Sequence, residues 1–110
     1  MRRVFLDEDV EPKLEQALAG FEVDSIKKRR MQQITNGVLL RWLAQERFEV
    51  LITKEKGVPF QTSLEKTGIA VVVIRGDGPL AHRFIKHPTR LRVAVGNVEI
   101  GKWTSIEPPK

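Results

Sequence analysis

Short apolar runs, separated by charged or polar stretches, dominate the pattern of this chain. Four runs have the length of a strand, and they cover residues 3–6, 21–26, 48–53 and 69–74. The run at 21–26 alternates apolar and polar residues, which predicts a half-exposed strand. The run at 69–74 is apolar throughout, which predicts a strand covered on both faces of a parallel sheet.

Apolar residues at helical spacing fill the intervals between these strands. Helices are expected over residues 10–19, 36–46, 60–66 and 80–85. Pro12 suits the first turn of the first helix and Gly20 ends it. Thr35 or Asn36 suits the cap of the second helix, because either side chain can accept from a free N–H group.

The pattern is more ambiguous in the last third of the chain. Leu91 to Gly96 fits a helix or a strand, and Val98 to Ile106 alternates around Gly101 like a hairpin or an edge strand. The order of elements predicts an α/β fold with an open, mainly parallel sheet of about four strands, helices on both faces and a C-terminal hairpin or edge extension. A length of 110 residues fits one domain, residues 1–110.

Composition excludes several kinds of site. The chain has no cysteine, so it has no disulfide, thiolate zinc site or cysteine nucleophile. No apolar run approaches the roughly 18 residues that a membrane span needs. The segment Met1-Arg2-Arg3 runs directly into a short strand without the apolar core of a signal peptide. We therefore expect a cytoplasmic protein without membrane association.

A positive charge balance favours a polyanionic partner. The net charge is +5, and basic residues concentrate at Lys27, Lys28, Arg29 and Arg30 and again at Lys54 and Lys56. Such clusters could form an electrostatic track for an RNA backbone. A solvated positive surface explains the same residues equally well. The Lys27 to Arg30 cluster is expected in a loop or frayed turn, because its charges repel one another.

Acidic side chains follow two of the predicted strands. Asp7, Glu8 and Asp9 come directly after the first strand, and Glu55 comes shortly after the strand that ends near Thr53. Sites in open parallel sheets form beyond the carboxyl ends of the strands, so these acids would converge if the two strands are neighbours. Clustered carboxylates suit Mg²⁺ or Mn²⁺. Capping of the next helix is the alternative explanation for Asp7 to Asp9.

The stretch Val4-Phe5-Leu6-Asp7-Glu8-Asp9-Val10, with Pro12 and Leu14, resembles the opening of small PIN-like proteins. Segments 36–40, 50–53, 59–61 and 69–74 resemble the same family in the same order. The resemblance covers about residues 3–75. It implies a PIN-type sheet and a divalent-metal pocket for RNA cleavage, often within a toxin–antitoxin pair.

The resemblance also implies roles for individual residues. Asp7, Asp9 and Glu55 would be catalytic and would hold Mg²⁺ or Mn²⁺, with Glu8 supporting them. Asn36 could orient a ligand or water, and Thr53 could bind phosphate; a helix cap and a strand end are the respective alternatives. The chain would then be a metal-dependent endoribonuclease, acting on RNA and paired with an antitoxin protein.

Three positions depart from the family pattern. Val38 stands where relatives usually have an acid, Glu55 replaces the usual aspartate after Thr53, and Gly57 stands at another acidic or amide position. A second hypothesis is therefore a degenerate PIN-like module that binds nucleic acid or a protein partner without cutting. A third is an accessory protein that forms an oligomer, such as a homodimer, through Leu91 to Ile106. Trp103 would then cover a sheet edge or an oligomer interface.

Overall fold

One parallel sheet organises the computed structural model, which describes residues 2–61 and 63–110. Its strands are β1 (Arg3–Leu6), β2 (Glu22–Ser25), β3 (Val50–Thr53), β4 (Ala70–Ile74) and β5 (Trp103–Ile106). Their order in the sheet is β2-β1-β3-β4-β5, and every neighbouring pair is parallel. The predicted α/β class and parallel sheet are confirmed. The described residues form a sheet of five strands, because the C-terminal segment adds an edge strand.

Helical segments connect these strands. The α-helices are α1 (Ile26–Arg29), α2 (Asn36–Gln45), α3 (Val58–Gln61), α4 (Ala81–Lys86) and α5 (Thr89–Asn97), and 3₁₀ helices cover Pro12–Ala17 and Leu64–Lys66. The ambiguous segment 91–96 is thus helical. The segment 60–66 is divided between α3 and the second 3₁₀ helix, and Thr62 within it lies outside the described residues. No helix in the described part of the chain is both long and apolar enough to cross a bilayer.

Strand alternation divides the core into two layers. Val4 and Leu6 pack on one face of the sheet, which the first 3₁₀ helix, α4 and α5 cover. Phe5 lies on the opposite face with the buried side of α2. All five residues of β4 are buried, as the apolar run at 69–74 predicted. Helices therefore cover both faces, and the carboxyl ends of the strands are left as the edge where loops and polar side chains gather.

The path of the chain before β5 explains why the C-terminal segment forms an edge strand and not a hairpin. α4 and α5 return the chain to the amino edge of the sheet, so β5 starts beside Val71 and runs parallel to β4. Gly101 closes this return: its N–H donates to the Ile69 carbonyl at 3.1 Å, and its φ is 82°. A Cβ there would lie 3.0 Å from the Cα of Glu65. The hairpin alternative is therefore wrong.

We expect Gly101→Ala to lower the free energy of unfolding by about 2 to 4 kcal/mol, because it combines a positive φ with a backbone clash. Gly68→Ala is the matched control, since Gly68 has a φ of 77° and a Cβ on it would meet no atom within 4 Å. The control should lose only the contribution of the positive φ to the free energy of unfolding, about 1 to 2 kcal/mol. Urea unfolding of both variants measures the difference. Equal losses would show that the approach to Glu65 is unimportant.

Candidate functional site

Nearly all the residues predicted to be catalytic, to bind a metal ion or to bind nucleic acid lie at the carboxyl edge of the sheet. Because all five strands are parallel, the loops after them open at the same edge. The acidic loop after β1 lies between the Lys27 to Arg30 cluster, which follows β2, and the Lys54 to Lys56 loop, which follows β3. The chain leaves β1 towards β2 on one side and leaves β3 towards β4 on the other. This is the topological switch point, where open α/β sheets bind ligands.

Asp7 lies on this edge between the two groups of basic residues, at the end of β1. The pairing of Leu6 with Ile52 places Asp7 opposite Thr53, and the Asp7 N–H donates to the Ile52 carbonyl at 2.9 Å. The Thr53 hydroxyl donates to Asp7 Oδ2 at 2.7 Å, and the Glu8 N–H donates to Asp7 Oδ1 at 2.8 Å. Asp7 is only 5% exposed and Thr53 is fully buried. The two predicted residues therefore form one buried polar contact.

The acids at this edge influence one another. Burial raises the pKa of Asp7, and the charges of Asp9 and Glu55 raise it further, against the hydrogen bonds from Thr53 and Glu8. Loss of hydration also raises the pKa of Asp9, which is more exposed, and Glu55 contributes again. The Glu55 N–H donates to the Thr53 hydroxyl at 3.0 Å. The strands thus bring Asp7, Asp9 and Glu55 into one electrostatic environment.

The described residues do not form the metal centre that the PIN-like resemblance implies, so this centre stays a prediction. Across residues 2–61 and 63–110, no three acids or histidines form a group that could hold a metal ion. Both oxygens of Asp7 accept hydrogen bonds within the protein, and Asp9 Oδ1 accepts from the Lys54 N–H at 3.1 Å. Glu8 is exposed. The carboxylates are the ligand type that Mg²⁺ prefers, but their positions do not make a three-acid site.

A basic pocket of about 540 Å³ lies beside the acids, beyond the ends of β3, β4 and β5. It is lined by five cationic residues and two acids: Lys54, Lys56, Arg75, Arg83 and Lys110, with Asp77 and Glu107. Lys54 donates through Nζ to the Gly78 carbonyl at 2.7 Å, which ties the loop after β3 to the loop after β4. The other four cations form no ion pair with any residue that the structure describes.

Only part of this pocket is recognisable in the sequence. Lys54 and Lys56 belong to a recognisable basic loop, but Arg75, Arg83 and Lys110 are isolated cations on three other segments. Their convergence depends on β5 pairing parallel with β4. The only signal available in the sequence was that Arg75 and Lys110 follow predicted strands.

The Lys27 to Arg30 cluster is more ordered than the predicted loop or frayed turn. Lys27, Lys28 and Arg29 belong to α1, which forms because the Ser25 hydroxyl accepts from the Lys28 N–H at 3.0 Å. Lys28 pairs with Glu15, and Arg29 pairs with Asp24. Arg30 ends the helix in the left-handed region with a φ of 56°. The loop prediction was wrong because a side-chain cap offsets the repulsion among the charges.

The remaining predicted positions lie around the start of α2 and the loop after β3. Thr35 is the N-cap residue of α2, without a side-chain capping hydrogen bond, and Asn36 is the first helical residue. Val38 is 44% exposed on this helix, and Gly57 is half-buried just before α3. Neither supplies an oxygen-bearing side chain to the carboxyl edge.

Comparison of the chain with protein-family models, curated proteins and solved structures found no match. The PIN-like resemblance therefore stays a prediction, as do the endoribonuclease activity and the antitoxin partner that it implies. The observations that bear on function are the buried Asp7 at the switch point and the charges on either side of it.

We expect Asp7→Asn to raise the free energy of unfolding at pH 7, measured in buffer containing a chelator. Because the pKa of Asp7 is raised in the folded protein, its ionised form opposes folding. The advantage of the variant should therefore be full above the raised pKa and disappear as the pH falls towards the ordinary value of 3.8. The Thr53 hydroxyl can rotate to accept from the new amide.

Asp77→Asn provides the control, because Asp77 is an exposed carboxylate at the same edge. It should change the free energy of unfolding by no more than about 0.5 kcal/mol, both at pH 7 and at a pH near 3.8. A loss of stability in Asp7→Asn at pH 7 would show that the ionised carboxylate stabilises the fold.

Proposed function

We propose that this chain binds RNA at the carboxyl edge of its sheet, as a PIN-like module that holds the phosphodiester backbone without cutting it. The basic pocket is the observation that carries the proposal. Four segments of the chain supply its cations, and four of the five are without an ion pair in the described residues. Phosphate groups would supply the missing negative charge and release their counterions to solvent.

Position along the edge supports the same proposal. Lys27 and Arg30 lie beyond β2 and the basic pocket lies beyond β3 to β5, so positive charge flanks the acids on both sides. Neighbouring strands are about 4.8 Å apart, which makes the edge roughly 19 Å long. A polyanion lying along it would meet cations at both ends. The acidic loop after β1 would repel phosphates at the centre, so we assign the main backbone contacts to the basic pocket.

We expect a single-stranded RNA oligonucleotide to bind with an affinity that falls steeply as salt rises from about 50 to 200 mM, and that is unchanged by a chelator. Replacing both Lys56 and Arg75 with alanine should weaken binding and reduce the salt slope by about 0.7 for each phosphate that the variant no longer neutralises. Fluorescence anisotropy of a labelled oligonucleotide measures both effects.

Lys66→Ala is the control for this experiment, because Lys66 is exposed and lies just before β4, at the amino edge of the sheet. It removes positive charge without touching the basic pocket, so it should leave the salt slope nearly unchanged. Salt-independent binding, or equal losses in the control and the double variant, would contradict the proposal.

Metal-dependent cleavage of RNA is the second candidate function. The observation that favours it is the shared electrostatic environment of Asp7, Asp9 and Glu55 at the switch point. A divalent ion bound there would supply charge neutralisation for a phosphodiester. Because the three carboxylates do not form a metal-holding group in this structure, the binding function is the better supported of the two.

We expect an end-labelled RNA oligonucleotide to stay intact with the wild-type protein in the presence of Mn²⁺ or Mg²⁺, since the described residues form no group of three acids that could hold a metal ion in this structure. Denaturing gel electrophoresis measures the outcome. Asp7→Asn, purified in the same way, controls for contaminating ribonucleases. Cleavage by the wild type that this variant abolishes, while it still binds RNA, would replace the binding proposal with the second candidate.

A further inference from the structure

Two exposed aromatic rings meet beside the basic pocket. Phe60 on α3 is 71% exposed and Trp103 at the start of β5 is 44% exposed. Their ring centroids are 5.3 Å apart and the ring planes are inclined at 78°, an edge-to-face pair. In such a pair, one ring points its edge at the face of the other, so neither face of the first ring is in contact with the second. The pair therefore offers an aromatic surface on which a third ring could stack.

The rings line a pocket of about 240 Å³, here called the aromatic pocket. Its other lining residues are Lys56, Val73, Arg75 and Ser105. Lys56 and Arg75 also line the basic pocket, so the two pockets meet at these cations. One end of the combined site is aromatic and the other is positively charged. A nucleotide has the same division, because a flat base is joined through its sugar to a phosphate.

We propose that the aromatic pocket seats one unpaired base of a single-stranded RNA, while Lys56 and Arg75 hold the adjoining phosphate. This inference rests on the proposed RNA-binding function and adds a preference to it. In a duplex the bases stack on their neighbours and are not available to the pocket. The chain should therefore prefer single strands and should tolerate different bases, since every base offers a flat face.

Charge argues for RNA over a second copy of the chain as the occupant. The outer edge of β5 and the exposed rings could in principle pair with another protomer. A symmetric dimer through this patch would place Lys56 and Arg75 of both protomers in one interface, where their like charges are unfavourable. The chain also carries a net charge of +5, so two copies repel each other. A polyanion is instead attracted both by Lys56 and Arg75 and by the net positive charge of the chain.

The test compares two probes, a single-stranded oligouridylate and an oligonucleotide of the same length that lacks bases. Trp103→Ala should weaken binding of the oligouridylate by about 5- to 160-fold, the range for losing one stacked base, and leave the abasic probe unchanged. Trp103→Phe should keep most of the affinity because it retains a ring. Lys56→Ala should weaken binding of both probes, because both contain phosphate.

Phe60→Ala provides a second variant on a different element, which guards against loss of the edge strand in Trp103→Ala. It should reproduce the selective loss of oligouridylate binding. Circular dichroism and thermal unfolding would confirm that both alanine variants fold.

Three results would overturn the inference. If folded Trp103→Ala and Phe60→Ala bind both probes as the wild type does, no base occupies the pocket, although RNA binding along the edge still stands. If the wild type binds neither probe at low salt, the proposed function fails and this inference fails with it. If sedimentation shows a wild-type dimer that Trp103→Ala dissociates, the aromatic pocket is an interface between two copies of the chain.

Discussion

Parallel pairing of β1 with β2 on one side and β3 on the other is the constraint on which the rest of the structure depends. It aligns Leu6 with Ser25 and with Ile52, so the residue after β1 must lie against the residue that ends β3. It also fixes the sequence of charges along the carboxyl edge, with acids between two groups of cations. A hydrophobic sheet interior, which has no chemistry of its own, thereby determines which polar side chains become neighbours.

Burial of the Asp7 carboxylate opposes folding, but it is typical of sites where proteins act on ligands. A hydrophobic side chain in its place would need neither the Thr53 hydroxyl nor the Glu8 N–H, and it would avoid the repulsion from Asp9 and Glu55. Buried carboxylates with raised pKa values are common where proteins act on ligands, although structural networks also produce them. The two hydrogen bonds hold the side chain in one orientation. Asp7 is thus fixed in place while two other acids surround it.

The strands and α2 could be predicted because their apolar periodicity is strong and local. The approach of Asp7 and Asp9 to Glu55 followed from one further assumption, that the first and third strands are neighbours. Details that depend on side-chain capping or hydrogen bonding escaped prediction. Ser25 caps α1 under the Lys27 to Arg30 cluster. Thr53 donates to a carboxylate oxygen of Asp7, and the Lys54 N–H donates to one of Asp9.

Features assembled from distant segments could not be predicted for a different reason. Arg75, Arg83 and Lys110 have unremarkable neighbours in the sequence, and only the final strand order joins them. The hairpin alternative for the C-terminal segment was equally reasonable from alternation alone. What decides against it is the path of α4 and α5, which brings the chain back to the amino edge before β5 begins. Such a path is a property of the whole fold.

β5 is hydrogen-bonded to the sheet on one side only, through its pairing with β4. Its four residues alternate between exposed and half-buried, so less apolar contact holds it than holds the interior strands. Segments with little buried surface detach locally more often than the core does. One ring of the aromatic pair lies on β5 and the other lies on α3, so each detachment separates them. The pocket exists only while this strand is docked, and any ligand that spans both rings would fasten the C-terminal end of the chain to the sheet.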